Sequence, residues 1–350
     1  MATFKKHIHA MSAYKPPLDG RDPKSHLLLD FNERTLPVSS DITQAMIDYI
    51  QAGKLQMYPA YGDIDSVIAQ YCGVSAEQVM ITNGSDQGID LIIRASCVAG
   101  DEAIIPAPSF AMYSQCAKVE NLKVVEPQFS REEGFPLVGV LEAITPKTRI
   151  ICIANPNNPS GTGIAREVIE RILIAAPHAT VMVDECYFEY SGLTVCDWVE
   201  RYTNLVITRT FSKTWGIPSL RLGFVLSCKE NIQALLNVRG PYDINQLAVV
   251  AIRAALAKPE YTHAYVHEVM QQAKPLFEAF LGESGIPFWP SDANYVWCFP
   301  KDPGAINAAL VAAGILVRPK ADAGGQVGLR VTIGTVEQTQ RAIKVIQAVL

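Results

Sequence analysis

Apolar residues recur at helical spacing in the first part of the chain. Residues 41–53 carry them on one face and end at Gly53, which suits the stop of an amphipathic helix. The same spacing recurs in residues 64–71 and again in residues 86–93. We therefore predict three amphipathic helices. The apolar positions of the first helix are Ile42, Ala45, Met46, Tyr49 and Ile50.

Between residues 100 and 226 the pattern changes to short apolar runs, with helical stretches such as residues 167–176 between several of them. Short buried strands that alternate with helices are typical of a largely parallel sheet wrapped by helices. Polar residues follow directly after several runs, where open α/β sheets bind their ligands. The runs are residues 103–105, 149–153, 180–183, 205–208 and 224–226.

The last third of the chain has longer helical patterns and two further strand regions, residues 289–299 and 329–333. Thr335 and Gln338 resemble a capping box that opens the terminal helix. We predict an α/β protein with a large domain, built on a mostly parallel central sheet flanked by helices, and a smaller α+β C-terminal domain. The large domain spans residues 41–240 and the small one 241–350, with residues 1–40 packed on the small domain.

Composition narrows the class of protein without changing this prediction. The 350 residues are 49% hydrophobic and 19% charged, with a net charge of −5, as in ordinary globular proteins. No basic excess points to nucleic acid, and no apolar run reaches the roughly 20 residues that a membrane span needs. The start lacks an apolar signal segment, so we expect a cytoplasmic protein whose eight scattered cysteines stay reduced.

Three polar segments stand at places where chemistry is expected. Residues 83–86, Asn-Gly-Ser-Asp, precede a helix, so their N–H groups either cradle a phosphate or simply cap the helix. Residues 155–161, Asn-Pro-Asn-Asn-Pro-Ser-Gly, form either a bare turn or a stiff loop that holds an amide donor. Asp184 follows the apolar residues 181–183, and a buried carboxylate needs a partner such as a cationic pyridinium nitrogen, unless it only caps a loop.

The fourth segment carries the amine. Thr210 and Ser212 close another strand, and Arg221 comes eight residues after Lys213. Two hydroxyls and a guanidinium suit a phosphate dianion. Lys213 either is a solvated surface group or forms an imine, provided that its surroundings keep it partly neutral. One ligand needs all four segments, and that ligand is pyridoxal 5′-phosphate (PLP).

These four segments resemble those of class II aminotransferases of PLP fold type I. Their order and spacing are most similar to histidinol-phosphate aminotransferase, and the resemblance covers nearly the whole chain. It implies a PLP-dependent transfer of an amino group between an amino acid or amino phosphate and a 2-oxo acid. Histidinol phosphate and 2-oxoglutarate are the first expectation. Further matching segments are residues 32–33, 58–59, 241–242 with Asn245, 314–318 and 329–335.

The resemblance assigns roles around the cofactor. Lys213 forms the Schiff base and moves the α-proton, and Asp184 keeps the pyridine nitrogen protonated. Asn158 and Tyr187 hydrogen-bond the ring oxygen, while Phe110 either stacks on the ring or is a core aromatic. Asp184 and Tyr187 are therefore predicted to act with Lys213 in catalysis. The residues implied to bind the phosphate are Ser85, Asp86, Thr210, Ser212 and Arg221.

The resemblance also assigns the substrate side. Arg330 grips a substrate carboxylate with two hydrogen bonds. Tyr58 reaches the cofactor phosphate of a neighbouring subunit, which implies a homodimer with shared sites. Arg318 and Tyr242 lie near the far end of the substrate unless they are merely structural, and Asn32 belongs to a segment beside the substrate.

Four departures from the family pattern accompany these matches. Residues 32–35 are Asn-Glu-Arg-Thr instead of Asn-Glu-Asn-Pro, which leaves the substrate open. Cys186 replaces an alanine under the ring, and Phe110 replaces a tyrosine. Residues 218–219 are Pro-Ser in place of Ala-Gly. None of these departures changes the lysine, the aspartate or the phosphate-binding arginine.

Three other functions remain open from the sequence. They are an aromatic amino-acid aminotransferase, a decarboxylase of a phosphorylated amino acid on the same scaffold, and a non-catalytic binding protein with the aminotransferase fold. A metal site is not expected, because His263 and His267 stand four residues apart without the glutamate of a zinc-protease motif.

Overall fold

A computed structural model of the chain describes residues 3–350, and this part forms two sheets. One sheet has seven strands and the other has four. The strands are β1 Leu27–Leu29, β2 Val79–Thr82, β3 Glu102–Ile104, β4 Lys123–Val125, β5 Thr148–Ala154, β6 Thr180–Asp184, β7 Leu205–Thr210, β8 Gly223–Ser227, β9 Tyr295–Cys298, β10 Ile315–Ala321 and β11 Val327–Thr332.

Helices cover both sheets, and the three amphipathic helices expected near the N-terminus are present as α2, α3 and α4. None of the helices within residues 3–350 is long and apolar enough to cross a bilayer. The helices are α1 Lys6–Ala10, α2 Ser40–Gln51, α3 Ile64–Cys72, α4 Gly84–Ser96, α5 Ala111–Val119, α6 Leu137–Glu142, α7 Arg166–Ala175, α8 Phe188–Ser191, α9 Lys229–Val238, α10 Gln246–Ala257, α11 Glu260–Glu268, α12 Lys274–Glu283, α13 Pro303–Ala312 and α14 Val336–Gln347.

The seven-stranded sheet has the order β2-β8-β7-β6-β5-β3-β4. The strands from β4 to β7 are parallel, as predicted, and each expected run lies within a strand or one residue beyond it. Strand β8 instead runs antiparallel between β7 and β2. The hydrophobic pattern predicted neither β2 nor β4.

Both faces of this sheet are buried. Along β5, Ile151 and Ile153 pack into one core, while Ile150 and Cys152 pack into the core on the opposite face. Because side chains alternate between the faces of a strand, a strand buried on both faces is apolar at every position. This explains why the strands appear in the sequence as continuous apolar runs.

The four-stranded sheet has the order β1-β10-β11-β9, and it joins the two ends of the chain. Leu29 of β1 pairs in parallel with Val317 of β10. The expected strand region 289–299 contains only β9, together with an isolated bridge at Phe288. The capping box of Thr335 and Gln338 is present at the start of α14.

Helix α10 lies beyond the boundary that we predicted after residue 240. Its apolar residues, such as Val249 and Ile252, pack into the core of the seven-stranded sheet. Tyr265 of α11 is the first later residue that packs into the core of the four-stranded sheet. We therefore propose that the large domain continues to about residue 258 and that the small domain begins with α11.

Candidate active site

One cavity lies at the carboxyl ends of the parallel strands, with an empty volume of about 590 Å³ counted to its open mouth. Ten of the eleven residues predicted to bind the cofactor line this cavity. They are Ser85, Asp86, Phe110, Asn158, Asp184, Tyr187, Thr210, Ser212, Lys213 and Arg221.

Strand register brings these residues together. Asp184 at the end of β6 lies opposite Ala154 of β5 and Thr208 of β7. The loop after β5 therefore presents Asn158 beside Asp184, and the loop after β7, residues 211–217, presents Lys213. We call residues 211–217 the Lys213 loop. The parallel sheet thus places an amide, a carboxylate and an amine at one edge.

Asp184 is buried and accepts hydrogen bonds on both carboxylate oxygens. Tyr113 donates its hydroxyl to Oδ2 at 2.5 Å, and Cys186 donates its thiol to Oδ1 at 2.8 Å. Burial raises the pKa of Asp184, whereas the hydrogen bonds from Cys186 and Tyr113 oppose that rise. No lysine, arginine or histidine of residues 3–350 lies within 4.0 Å of this carboxylate. A cationic nitrogen inside the cavity would supply the missing countercharge.

Lys213 is half-buried, and its Nζ donates a hydrogen bond to the carbonyl oxygen of Phe31 at 2.9 Å. Burial, followed by the positive charge of Arg330, lowers the pKa of Lys213 below its ordinary value. A lysine with a lowered pKa is more often neutral, and the neutral amine is the nucleophile that attacks an aldehyde. Lys213 is therefore not the solvated surface group that a solitary lysine usually is.

The opposite end of the cavity collects donors for an anion. Arg221 has a left-handed backbone (φ 53°), and its Nη2 contacts the Asp86 carboxylate at 3.1 Å. A Cβ at Gly84 would lie 2.4 Å from Nη2 of Arg221, so the start of α4 needs glycine to let the guanidinium approach. Thr210 donates its hydroxyl to Ser212 at 2.9 Å. These groups and the free N–H groups of the first turn of α4 fit a phosphate.

Tyr187 lines the cavity and is held by the segment that follows β1. Asn32 donates its side-chain amide to the Tyr187 hydroxyl at 3.0 Å. Asn32 adopts a left-handed backbone (φ 56°), which asparagine tolerates better than most residues, and its own N–H donates to Thr332 at 3.0 Å. Burial raises the pKa of Tyr187, so its hydroxyl stays protonated. Asn32 therefore contacts a predicted catalytic residue.

Arg330 is buried beside the cavity and bonds only to neutral groups. Its Nη1 donates to Oδ1 of Asn158 at 2.6 Å, and its Nη2 donates to the carbonyl oxygen of Asp30 at 2.6 Å. Its Nε has no hydrogen-bond partner among residues 3–350. The guanidinium also lies 5.5 Å from the ring centre of Tyr295. A buried cation without a carboxylate suits an anionic ligand.

The residues that line the cavity do not include the predicted Tyr58, Tyr242 and Arg318. Tyr58 and Tyr242 stack on each other at 4.5 Å between ring centres, and both are exposed. Arg318 pairs through its backbone with Arg330, and its guanidinium lies 5.4 Å from the ring centre of Phe31. Within this chain, neither tyrosine contacts the predicted cofactor site.

Two further residues next to the site were not predicted. Tyr113 reads in the sequence as a core aromatic of α5, and it also meets the ring of Phe110 edge-on at 5.7 Å. Lys320 follows Arg318 by two residues on β10, so both side chains leave the same face. Burial, with the charges of Arg330 and Arg318, lowers the pKa of Lys320 to about 8. Neither residue carries a motif that the sequence could reveal.

Comparison with known proteins finds similarity over nearly the whole chain. Residues 25–346 match the family described as aminotransferase class I and II. Histidinol-phosphate aminotransferase 2 of Pseudomonas aeruginosa is 32% identical over 372 aligned positions, which cover 100% of this chain and 98% of the relative.

Solved structures share the fold. The histidinol-phosphate aminotransferase of Sinorhizobium meliloti, in complex with pyridoxal-5′-phosphate, superposes with a TM-score of 0.88 at 20% identity and covers 100% of this chain and 99% of its own. The L-threonine-O-3-phosphate decarboxylase of Porphyromonas gingivalis superposes with a TM-score of 0.78 at 21% identity, covering 92% and 99%.

Proposed function

The chain belongs to the class I and II aminotransferase family and is a PLP-dependent aminotransferase, and we propose that histidinol phosphate is its amino donor and 2-oxoglutarate its acceptor. The observation that carries this proposal is the pairing, beside one cavity, of a half-buried amine with a buried cation that has no carboxylate partner. Lys213, Asp184 and Arg221 line the cavity, and Arg330 stands beside it without a carboxylate. Relatives named for this substrate support the choice of donor.

When bound, PLP takes up the amino group and stabilises negative charge at the substrate's α-carbon. Lys213 holds the cofactor covalently and then moves a proton to and from that carbon. Asp184 holds the proton on the pyridine nitrogen, because its buried carboxylate otherwise lacks a countercharge. Tyr187 and Asn158 orient the ring oxygen. Histidinol phosphate has no carboxylate, so Arg330 acts in the half-reaction with glutamate and 2-oxoglutarate.

The test is a panel of amino donors with 2-oxoglutarate, in which glutamate production is followed. We expect kcat/KM for histidinol phosphate to exceed that for phenylalanine and tyrosine by at least about tenfold. A preference for the aromatic amino acids would reject this donor while keeping the aminotransferase activity. Release of CO₂ from a phosphorylated amino acid without glutamate would favour the decarboxylase, whose fold is similar.

We also propose that the protein is a cytoplasmic homodimer with shared active sites. The exposed aromatic pair of Tyr58 and Tyr242 supports this proposal, because Tyr58 is 76% exposed in the single chain and reaches no part of its own cavity. Sedimentation velocity tests the dimer. Mixing inactive Tyr58→Ala subunits with inactive Lys213→Ala subunits tests the sharing, since a mixed dimer regains one intact site. No regained activity would contradict shared sites.

A further inference from the structure

Residues 30–35, which we call the crossing segment, run from the four-stranded sheet over the Lys213 loop. We propose that Arg34, in this segment, is a positioning residue that holds the Lys213 loop in place for the reaction. This inference rests on the proposed role of Lys213. It assigns Arg34 no contact with substrate or cofactor.

Two hydrogen bonds join the crossing segment to neighbouring residues of the loop. The guanidinium Nη1 of Arg34 donates to the carbonyl oxygen of Thr214 at 3.1 Å. One residue earlier, Nζ of Lys213 donates to the carbonyl oxygen of Phe31 at 2.9 Å. Arg34 therefore fixes the backbone directly after the lysine, while Phe31 receives the amine itself. Of the two hydrogen bonds, only that of Arg34 does not involve the amine. It can therefore stay in place when the amine is bound to the cofactor.

The loop is also held from the side opposite the crossing segment. Glu189 of α8 accepts hydrogen bonds from the hydroxyl of Thr214 at 3.2 Å and from the indole N–H of Trp215 at 3.0 Å. Side chains after Lys213 are thus anchored to α8. The backbone carbonyl of Thr214 is anchored to the crossing segment by Arg34. Removing Arg34 would free one side of the loop and leave the other side attached.

The shapes of Arg34 and the loop are matched. Gly216 turns the loop with a left-handed backbone (φ 71°), and a Cβ there would lie 2.6 Å from Cδ of Arg34. The aliphatic part of the arginine therefore lies against a bare backbone. Any larger residue at position 216 would push Arg34 away from Thr214, in addition to straining the turn.

Burying the charge of Arg34 at this position costs free energy. The residue is only 8% exposed, and no carboxylate of residues 3–350 lies within 4.0 Å of it. Its guanidinium lies 4.7 Å from the ring centre of Tyr261 and 4.3 Å from that of Tyr265. Since well-packed apolar residues often replace buried charges at no loss of stability, stability alone does not account for an arginine here. An apolar residue could supply neither the hydrogen bond to Thr214 nor the longer one, at 3.5 Å, from Nη2 to the carbonyl oxygen of Tyr261.

The experiment compares the holoenzymes of Arg34→Met and Arg34→Lys with the parent. Arg341→Met is the matched control, because Arg341 also donates to a backbone carbonyl, that of Ala313, but touches no part of the Lys213 loop. Four quantities are measured: the melting temperature, the rate of PLP release to a trapping apoenzyme, hydrogen exchange of the peptide 210–217, and kcat with KM for the amino donor.

We expect Arg34→Met to keep the melting temperature while peptide 210–217 exchanges faster and PLP leaves about tenfold faster, as the loss of one buried hydrogen bond implies. We expect kcat to fall by a similar factor while KM changes little. Arg34→Lys should lie between Arg34→Met and the parent, since a lysine keeps a donor without the planar fork. Arg341→Met should match the parent in all four measurements.

Parental values for exchange, PLP release and kcat in Arg34→Met would overturn the inference. A lower melting temperature with unchanged kcat per folded molecule would show a purely structural role and would overturn it as well. If Arg34→Met does not fold, the exchange and release rates of Arg34→Lys decide. Failure of the proposed function is distinguishable, because the parent itself would then transfer no amino group.

Discussion

The charged side chains on the two walls of the active-site region differ in the partners that they have. The cofactor wall, formed by Asp184, Lys213 and Arg221, gives each charged group a hydrogen-bond or ion-pair partner, although Asp184 has no cation beside it among residues 3–350. Asp184 receives hydrogen bonds from Tyr113 and Cys186. Arg221 is paired with a carboxylate of α4.

The substrate wall, formed by Arg318, Lys320 and Arg330 on β10 and β11, lacks such partners. Arg318 and Lys320 have no carboxylate within 4.0 Å among residues 3–350, and Arg330 bonds only to neutral oxygens. This difference indicates that the charged groups around the cofactor have partners within the chain before the cofactor binds. The protein leaves the substrate wall with a positive charge that an anionic ligand must neutralise.

The largest expected effect is on the cofactor wall. Lys213→Ala should abolish the visible absorption of lysine-bound PLP and lower kcat by about three orders of magnitude or more, because no other amine lines the cavity within residues 3–350. Absorption spectra and steady-state rates measure both changes. Full turnover in this variant would show that the cofactor wall is misassigned.

The next effect is on the substrate wall. Arg330→Ala should lower kcat/KM in the half-reaction with glutamate by about 2–4 kcal/mol, a factor of roughly 30 to 800, because a buried cation that grips the carboxylate is lost. Single-turnover kinetics with glutamate measure this loss. Arg149→Ala serves as the control, since Arg149 donates to the carbonyl of Pro146 at an exposed site. An unchanged kcat/KM would place the carboxylate elsewhere.

A smaller effect tests the hydrogen bond from Tyr113 to Asp184 on the cofactor wall. The hydrogen bond from Tyr113 lowers the pKa of Asp184, so Tyr113→Phe raises that pKa further. As the pH falls, the variant therefore loses the activity that needs an ionised Asp184 at a higher pH than the parent does. We also expect its kcat to drop by about tenfold. The acid limb of the pH profile measures this shift. Tyr202→Phe removes a tyrosine bond to Glu170 of the same 2.5 Å length and should leave the profile in place.

The smallest effect concerns Lys320. Since burial and neighbouring arginines lower its pKa to about 8, its positive charge is present below that pH and lost above it. Lys320→Met should raise KM for a phosphorylated donor about threefold well below pH 8 and change nothing well above it. KM measured across this pH range tests the effect. A pH-independent change would exclude a role for the lysine's charge.

The sequence predicted the cofactor wall better than the substrate wall, for a physical reason. Asp184 and Lys213 each follow an apolar strand directly, so local pattern and motif locate them together. Strand direction is not encoded locally, and the antiparallel course of β8 was therefore not predicted. Helix α10 is apolar enough to pack on either core, and the sequence alone did not show which one it chooses.

The contacts that the sequence missed join residues far apart in the chain. Tyr113 lies 71 residues from Asp184, and Phe31 lies 182 residues from Lys213. Arg34 was noted only as a departure that leaves the substrate open. In the structure it contacts Thr214 and two tyrosine rings.

The pairing of β1 with β10 affects the order in which the two sheets fold during synthesis. Asn32 bonds to Thr332, and Asp30 bonds to Arg330, each across 300 positions. During translation the parallel sheet is synthesised long before its partner sheet can close, because β1 waits for strands near the C-terminus. Contacts of such high contact order form slowly. A nascent chain therefore completes the sheet that holds Asp184 early, but the sheet that holds Arg330 only near release from the ribosome.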